Sequence, residues 1–159
     1  MDVVVRPYRK MDRPGLEQTI DAVCAEGVMR TRCFEPTPAW RHALGEPGCA
    51  CHLLLIASDG QRVVGWCRLF PAEGSGGLEL GIGVLGAYRC QGVGKALLLA
   101  ALEWADRGEA EVMLQTRPDN HPAVQLFDHY GFRATNRGNG LLTMRRSYGL
   151  WPRGRERQS

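Results

Sequence analysis

The chain has 159 residues, 44% of them hydrophobic and 23% charged, proportions that fit one soluble globular domain and argue against a disordered or fibrous chain. Its formal net charge of +3 is small, and the excess gathers at Arg145, Arg146, Arg153, Arg155 and Arg157, which read as a solvated terminus rather than a nucleic-acid surface. The longest apolar runs, Leu53 to Ala57 and Ala96 to Leu102, fall far short of the roughly 20 residues that cross a bilayer. Met1 to Lys10 lacks the charged-then-apolar order of a leader, so no membrane partner and a cytoplasmic location are expected.

Val3 to Arg6 reads as a first strand. Leu16, Ile20, Val23 and Cys24 then fall at the spacing of one helix face. A polar, proline-marked segment from Arg30 to Pro38 leads into a second short helix around Ala39 to Leu44, closed by Gly45 and Pro47. His52 to Ala57 and Arg62 to Leu69 are β-rich runs separated by Ser58-Asp59-Gly60-Gln61, whose Asp-Gly pair predicts an antiparallel hairpin. In the next strand Leu78, Leu80, Ile82 and Val84 alternate with Glu79, Gly81 and Gly83, giving one bulky face and one nearly bare face.

Val93, Leu97, Ala100, Ala101 and Trp104 keep a helical period from Gly92 to about Arg107, with Gly108 as the stop. Glu111 to Thr116 is a strand. Asn120 and Pro122 start a helix bearing Ala123, Leu126, Phe127 and Tyr130 on one side, ended by Gly131. Strands near Phe132 to Thr135 and Leu141 to Arg145 complete the order. The reading is a single α/β domain over residues 1–147, with a mixed sheet and a basic, poorly packed tail over 148–159 that Trp151 could pin to the body.

Six cysteines in a reducing compartment read as free thiols, mostly small core hydrophobes. Cys49-Ala50-Cys51-His52 is the one cluster that suggests a metal. It lacks a second donor pair at zinc spacing and runs straight into a strand, so no metal is expected.

The chemistry lies in Leu85 to Lys95, between a strand and the clearest helix. Gly92 and Gly94 let a ligand approach the backbone, and the open N–H groups and positive dipole end of the helix favour a phosphate. Arg89 and Lys95 add charge. The dinucleotide fingerprint fails because Leu97 stands where its third glycine belongs. The P-loop fails on Arg89 and Ala96.

The remaining R-x-x-G-x-G pattern, Arg89 to Gly94, resembles the cofactor motif of the GNAT superfamily of acyl-CoA-dependent N-acyltransferases. Glu79 to Val84 resembles that family's central strand, and Asn120 to Phe132 its N-x-x-A-x-x-L-Y-x-x-x-G-F segment. The resemblance is specific from about Leu78 to Phe132 and topological before it. It implies a mixed, splayed sheet of about seven strands flanked by about four helices, with acetyl-CoA as co-substrate and an amine of a small molecule or protein as acceptor.

In that reading the main chain of Ile82, Gly83 and Val84 pairs with the pantetheine arm, and Arg89, Cys90, Gln91, Gly92, Val93, Gly94 and Lys95 bind the pyrophosphate. Asn120 contacts the arm and Phe127 sits beside the sulfur. Phe127 departs from the pattern, since the family often uses a tyrosine there as general acid. Tyr130, three residues on, or water is the substitute, although core packing is the commoner fate of an aromatic at that spacing. Glu79 is the candidate base, ahead of His52, His121 and His129, with binding the acceptor or pairing with an arginine as its other roles. Acceptor contacts are expected from Arg30 to Trp40 and from the loop after Leu69, where Arg30, Arg32 and Arg41 favour an anionic acceptor and Glu35 and Glu46 a polyamine. Dimers are common among proteins resembling this family. A non-catalytic acyl-CoA sensor is the alternative function, and a nucleotide-phosphate-binding regulator a further one.

Overall fold

The computed structural model describes residues 2–27, 29, 31–74 and 76–152. Arg30, Arg153, Arg155 and Arg157, to which the sequence reading assigned acceptor or tail roles, lie outside them.

The elements follow the expected order: β1 (Val3–Pro7), α1 (Arg13–Cys24), α2 (Pro38–Gly45), β2 (Leu53–Asp59), β3 (Arg62–Pro71), β4 (Leu78–Val84), α3 (Val93–Arg107), β5 (Val112–Thr116), α4 (His121–His129), β6 (Arg133–Gly138) and β7 (Leu141–Arg146). They build one seven-stranded sheet in the order β1-β2-β3-β4-β5-β7-β6. Every neighbouring pair is antiparallel except β4 and β5, which run parallel.

Period-2 alternation sends the side chains of each central strand to two different cores. Leu55, Cys67, Leu69, Leu80 and Val84 pack with Leu97, Leu98, Ala101 and Leu102 of α3 and with Phe127 of α4. Leu54, Ile56, Trp66 and Phe70 pack with Leu16, Ile20 and Val23 of α1 and with Ala43 and Leu44 of α2. Helices therefore cover both faces, which explains why β2 reads as an unbroken apolar run, as strands buried on two sides do.

Local chemistry ends these elements where side chains or backbone allow. Thr37 caps α2, its Oγ1 accepting from the Trp40 N–H at 3.3 Å, with Pro38 at the first helical position. α3 ends at Arg107 with Gly108 as its C-cap, as expected. Glu109 takes the left-handed conformation at φ 51°, while the N–H groups of Glu109 and Ala110 bond the carbonyls of Asp106 and Ala105, a Schellman motif.

The chain after Ser147, expected to pack poorly, is tied down as far as Trp151. Asp106 of α3 and Arg146 of β7 form an ion pair at 2.9 Å with side-chain exposures of 1% and 0%. Asp106 also accepts from the Gly149 N–H and the Trp151 indole, each at 2.9 Å. Arg146 donates to the carbonyls of Tyr130 at 2.8 Å and Leu150 at 2.7 Å, and its guanidinium lies 5.2 Å from the Trp151 ring. Trp151 thus pins the segment, as the sequence reading allowed.

Burial pushes the Asp106 carboxyl up, but hydrogen bonds from Arg146, the Gly149 N–H and Trp151, with the attraction of Arg146, outweigh it and hold the group below its ordinary value. A depressed carboxylate contributes stability above its unfolded pKa, about 3.9, and loses it as pH falls through the folded value. Replacing Asp106 by Ala leaves a buried guanidinium uncompensated and is expected to cost about 3–5 kcal/mol. Calorimetric melts should show a Tm lower by roughly 10 °C, and the variant should lose less of its remaining stability than the parent between pH 5 and pH 3.

Candidate active site

The pairing of β4 with β5 is confined to Leu78 with Val112 and Glu79 with Met113. From there β4 continues to Val84 and β5 to Thr116 without a shared ladder, so the sheet opens toward the strands' C-terminal ends. Backbone groups of Leu80 to Val84 on that side are left to a partner other than β5.

The turn after β4 closes one lip of this opening. A single 3-10 turn, Gly86–Tyr88, leads into Cys90 at φ 61° and Gly92 at φ 84°. Gly92 is the N-cap of α3 and carries no side-chain cap, and the first helical bond recorded there runs from the Ala96 N–H to its carbonyl at 3.0 Å. The N–H groups of residues 92–95 are thereby outside the helix ladder at the positive end of its dipole. Lys95 is exposed in the same turn. Left-handed geometry at Gly92 suits glycine alone without strain.

Arg89 does something other than wait for an anion. Its Nε donates to the Val84 carbonyl at 3.0 Å, and its guanidinium grips both carboxylate oxygens of Glu26, just past α1, at 2.5 and 2.9 Å. The next residue, Gly27, accepts from Arg117 at 3.0 Å, and Arg117 also pairs with Asp119 at 3.0 Å. The turn after α1 therefore bridges the segment following β4 to the segment following β5. Arg117, Asp119, Asn120 and Pro122 line an open cavity of about 240 Å³ there. Asn120 precedes α4 but does not cap it with its side chain, so its amide is not spent on the helix.

The face of β4 that carries Glu79, Gly81 and Gly83 is not bare. Cross-strand partners on β3 fill it: Phe70 opposite Glu79, Arg68 opposite Gly81 and Trp66 opposite Gly83. A Cβ on Gly81 would lie 2.7 Å from Arg68 Nε, and one on Gly83 would lie 2.3 Å from the Trp66 ring. The glycines give room to these side chains rather than to a ligand. Arg68 also pairs with Glu79 at 3.3 Å and lies 4.8 Å from the Phe70 ring and 6.0 Å from that of Trp40. Trp40 packs edge-on against Phe70 and Phe34, at 5.1 and 5.3 Å. Glu79, a third exposed, thus stands at the rim of an aromatic wall supplied by the first half of the chain.

Residues 20–132 match the family model described as the acetyltransferase (GNAT) family. The chain belongs to that family. Among curated proteins it is 40% identical over 85 residues to the mycothiol acetyltransferase of Pseudarthrobacter chlorophenolicus, an overlap of 50% of this chain and 26% of that protein; the chain thus spans about a quarter of that relative's length. Solved structures share the fold. The acetyltransferase of GNAT family from Streptococcus pneumoniae superposes with a TM-score of 0.81 at 17% identity, covering 93% of this chain and 100% of that one. The PaiA N-acetyltransferase of Thermoplasma acidophilum, in complex with coenzyme A, gives 0.72 at 18% identity over 93% of this chain and 100% of its own.

Phe127 and Tyr130, which the resemblance brings near the GNAT thioester, lie on the core-facing side of α4. Phe127 is 5% exposed and packs against Phe132 at 5.5 Å. Tyr130 is 1% exposed, with its ring near those of His129 and Trp151, a packing position that offers a ligand almost no surface. His121 and His129 are exposed on α4.

The cysteines also depart from expectation, for only Cys24 and Cys67 are buried. Burial pushes the Cys67 thiol up to about 12, where it is inert. Cys49, Cys51 and His52 are joined by His42 of α2, a donor that sequence spacing did not reveal. Cys49 is pulled down to about 7 by hydrogen bonding first from Cys51 and then from His42. Burial, and secondarily the charge of His42, pushes the His52 ring down.

Substituting Gly83 with Ala tests whether the β4 face is filled. With Trp66 in place, overpacking should cost about 1–3 kcal/mol and lower Tm by several degrees. An unchanged melt would mean that the face is open.

Proposed function

We propose that this GNAT-family chain transfers an acetyl group from acetyl-CoA to a primary amine of a small molecule or protein. The observation that carries the reading is the divergence of β4 and β5 after two residue pairs, beside a helix N-terminus whose first-turn N–H groups are uncapped by any side chain. An extended amide-bearing arm can replace the missing strand along Ile82, Gly83 and Val84, while the backbone of Cys90 to Lys95 takes the pyrophosphate. Asn120, with its side chain outside the α4 cap, lines the cavity at the other lip. Because Glu26 holds Arg89, the phosphate contacts fall to the main chain and Lys95.

The amine nitrogen attacks the thioester carbon, whose oxygen is held by β4 N–H groups. The carbon–nitrogen bond forms as the carbon–sulfur bond breaks, the ammonium proton leaves toward Glu79 or its bound water, and the CoA thiolate takes a proton from water. Tyr130 is assigned no proton. No metal enters this reaction. The acceptor approaches over Phe34, Trp40 and Phe70, with Arg68 fixing the Glu79 carboxylate. A non-catalytic acyl-CoA sensor draws no support from the relatives, which are acetyltransferases by name.

Thermal melts with acetyl-CoA, ATP and NAD test the cofactor. Acetyl-CoA at about 100 times its dissociation constant should add roughly 2.7 kcal/mol, several degrees in Tm, with no shift from ATP or NAD; a shift from those two instead would overturn the reading. Glu79→Gln tests the chemistry in an amine-screen assay following CoA release. It should lower kcat by about 10²-fold or more with acetyl-CoA affinity unchanged. A parental rate across pH would remove Glu79 as base, and no turnover with any amine would leave a binding protein.

A further inference from the structure

His42 lies on α2, Cys49 and Cys51 on the connection that follows, and His52 immediately before β2. One ligand atom from each of the four lies within 4.8 Å of every other. Cys51 Sγ is 3.5 Å from His42 Nε2 and 3.6 Å from His52 Nδ1. A tetrahedral zinc with bonds of about 2.3 Å to sulfur and about 2.0–2.1 Å to nitrogen requires a sulfur–nitrogen edge of about 3.6 Å. Both edges have about that length.

The protein supplies this spacing from rigid parts. His42 is in the last turn of α2, which the Tyr8 hydroxyl anchors by donating to the Leu44 carbonyl at 3.2 Å. The Cys51 N–H donates to Cys49 Sγ at 3.4 Å, which folds the Cys-x-Cys segment so that both sulfurs face the same point. His52 is 6% exposed, stacks edge-on with His42 at 5.5 Å and Phe70 at 6.1 Å, and its buried Nε2 has no hydrogen-bond partner among the described residues. The ring nitrogen that ligates is Nδ1, which faces the Cys51 sulfur, so the cluster takes the side of the imidazole turned toward the two thiols.

We propose that His42, Cys49, Cys51 and His52 form a structural tetrahedral site for a borderline-soft divalent transition metal, with zinc as its occupant. Two thiolates and two neutral imidazoles complete the coordination, so no position is open for water and the site is structural rather than catalytic. On binding, each thiol gives its proton to solvent and the two thiolate charges neutralise the dication. The metal fastens the C-terminal end of α2 to the start of β2, and through the His52–Phe70 contact it steadies the wall formed by Trp40 and Phe70. The site stands independently of acyl-CoA binding.

Cobalt(II) titration of the reduced, chelator-treated full chain is the test. Binding of one cobalt per chain should bring thiolate charge-transfer absorption and the intense visible bands of tetrahedral coordination, both displaced by one equivalent of zinc. Cys49→Ser and Cys51→Ser should each remove the charge-transfer band, and His42→Ala, at an exposed position, should weaken binding at least tenfold. Cys33→Ser, an exposed thiol elsewhere, should change neither. Circular dichroism confirms that each variant is folded, and His42→Ala decides alone if the cysteine variants are not. Weak octahedral spectra, binding unaffected by these substitutions, or reduced protein that takes up no cobalt would overturn the proposal.

Discussion

Two residue pairs, Leu78 with Val112 and Glu79 with Met113, are the whole ladder joining the two halves of the sheet, and the site exists because the ladder is that short. A sheet parted at its centre must be held from its faces. One core spans the parting, packing α3 with Leu80 and Val84 on one side and Leu114, Leu142 and Met144 on the other. The buried pair of Asp106 with Arg146 fixes α3 to β7, and the turn at Glu26 and Gly27 ties the two lips together through Arg89 and Arg117. The opening is therefore a rigid wedge, suited to positioning two reactants on elements that do not yield.

Most of the fold was legible in the chain because its two periods are clean. Leu16, Ile20 and Val23 announce a helix, and Leu78, Leu80, Ile82 and Val84 a strand, without reference to anything distant. Boundaries differed by one or two residues, as at β2, which runs over Leu53–Asp59 rather than His52 to Ala57. The hairpin between β2 and β3 pairs Asp59 with Arg62, so its turn tightens to Gly60 and Gln61, the last two of the four connecting residues expected.

The site was legible only as far as backbone chemistry reaches. Glycines near Arg89 and a helix starting at Gly92 mark uncapped first-turn N–H groups, the backbone feature on which the proposed phosphate contacts rest. What side chains do there depends on partners far along the chain. Nothing within Leu78 to Val84 says that Arg68 and Trp66 will lie across Gly81 and Gly83, because that follows from the register of β3 against β4. Glu26 occupies Arg89 across 63 positions of sequence. His42 joins Cys49 and Cys51 only because α2 turns its last residues back toward β2, a tertiary fact invisible in the spacing. Phe127 and Tyr130 lie on the apolar helix face that their spacing indicates, and that face packs into the core.

The fastening at Trp151 also dictates an order of events during synthesis. Asp106 and Arg146 leave the ribosome before Gly149, Leu150 and Trp151, the residues that complete their hydrogen bonding. A nascent chain that has emerged only to the end of β7 holds a charge pair with part of its coordination missing, so burying it is uphill at that moment. The second half of the sheet thus completes its assembly late, when five more residues arrive, and until then β5, β6 and β7 are the strands most open to chaperones and to misplaced partners.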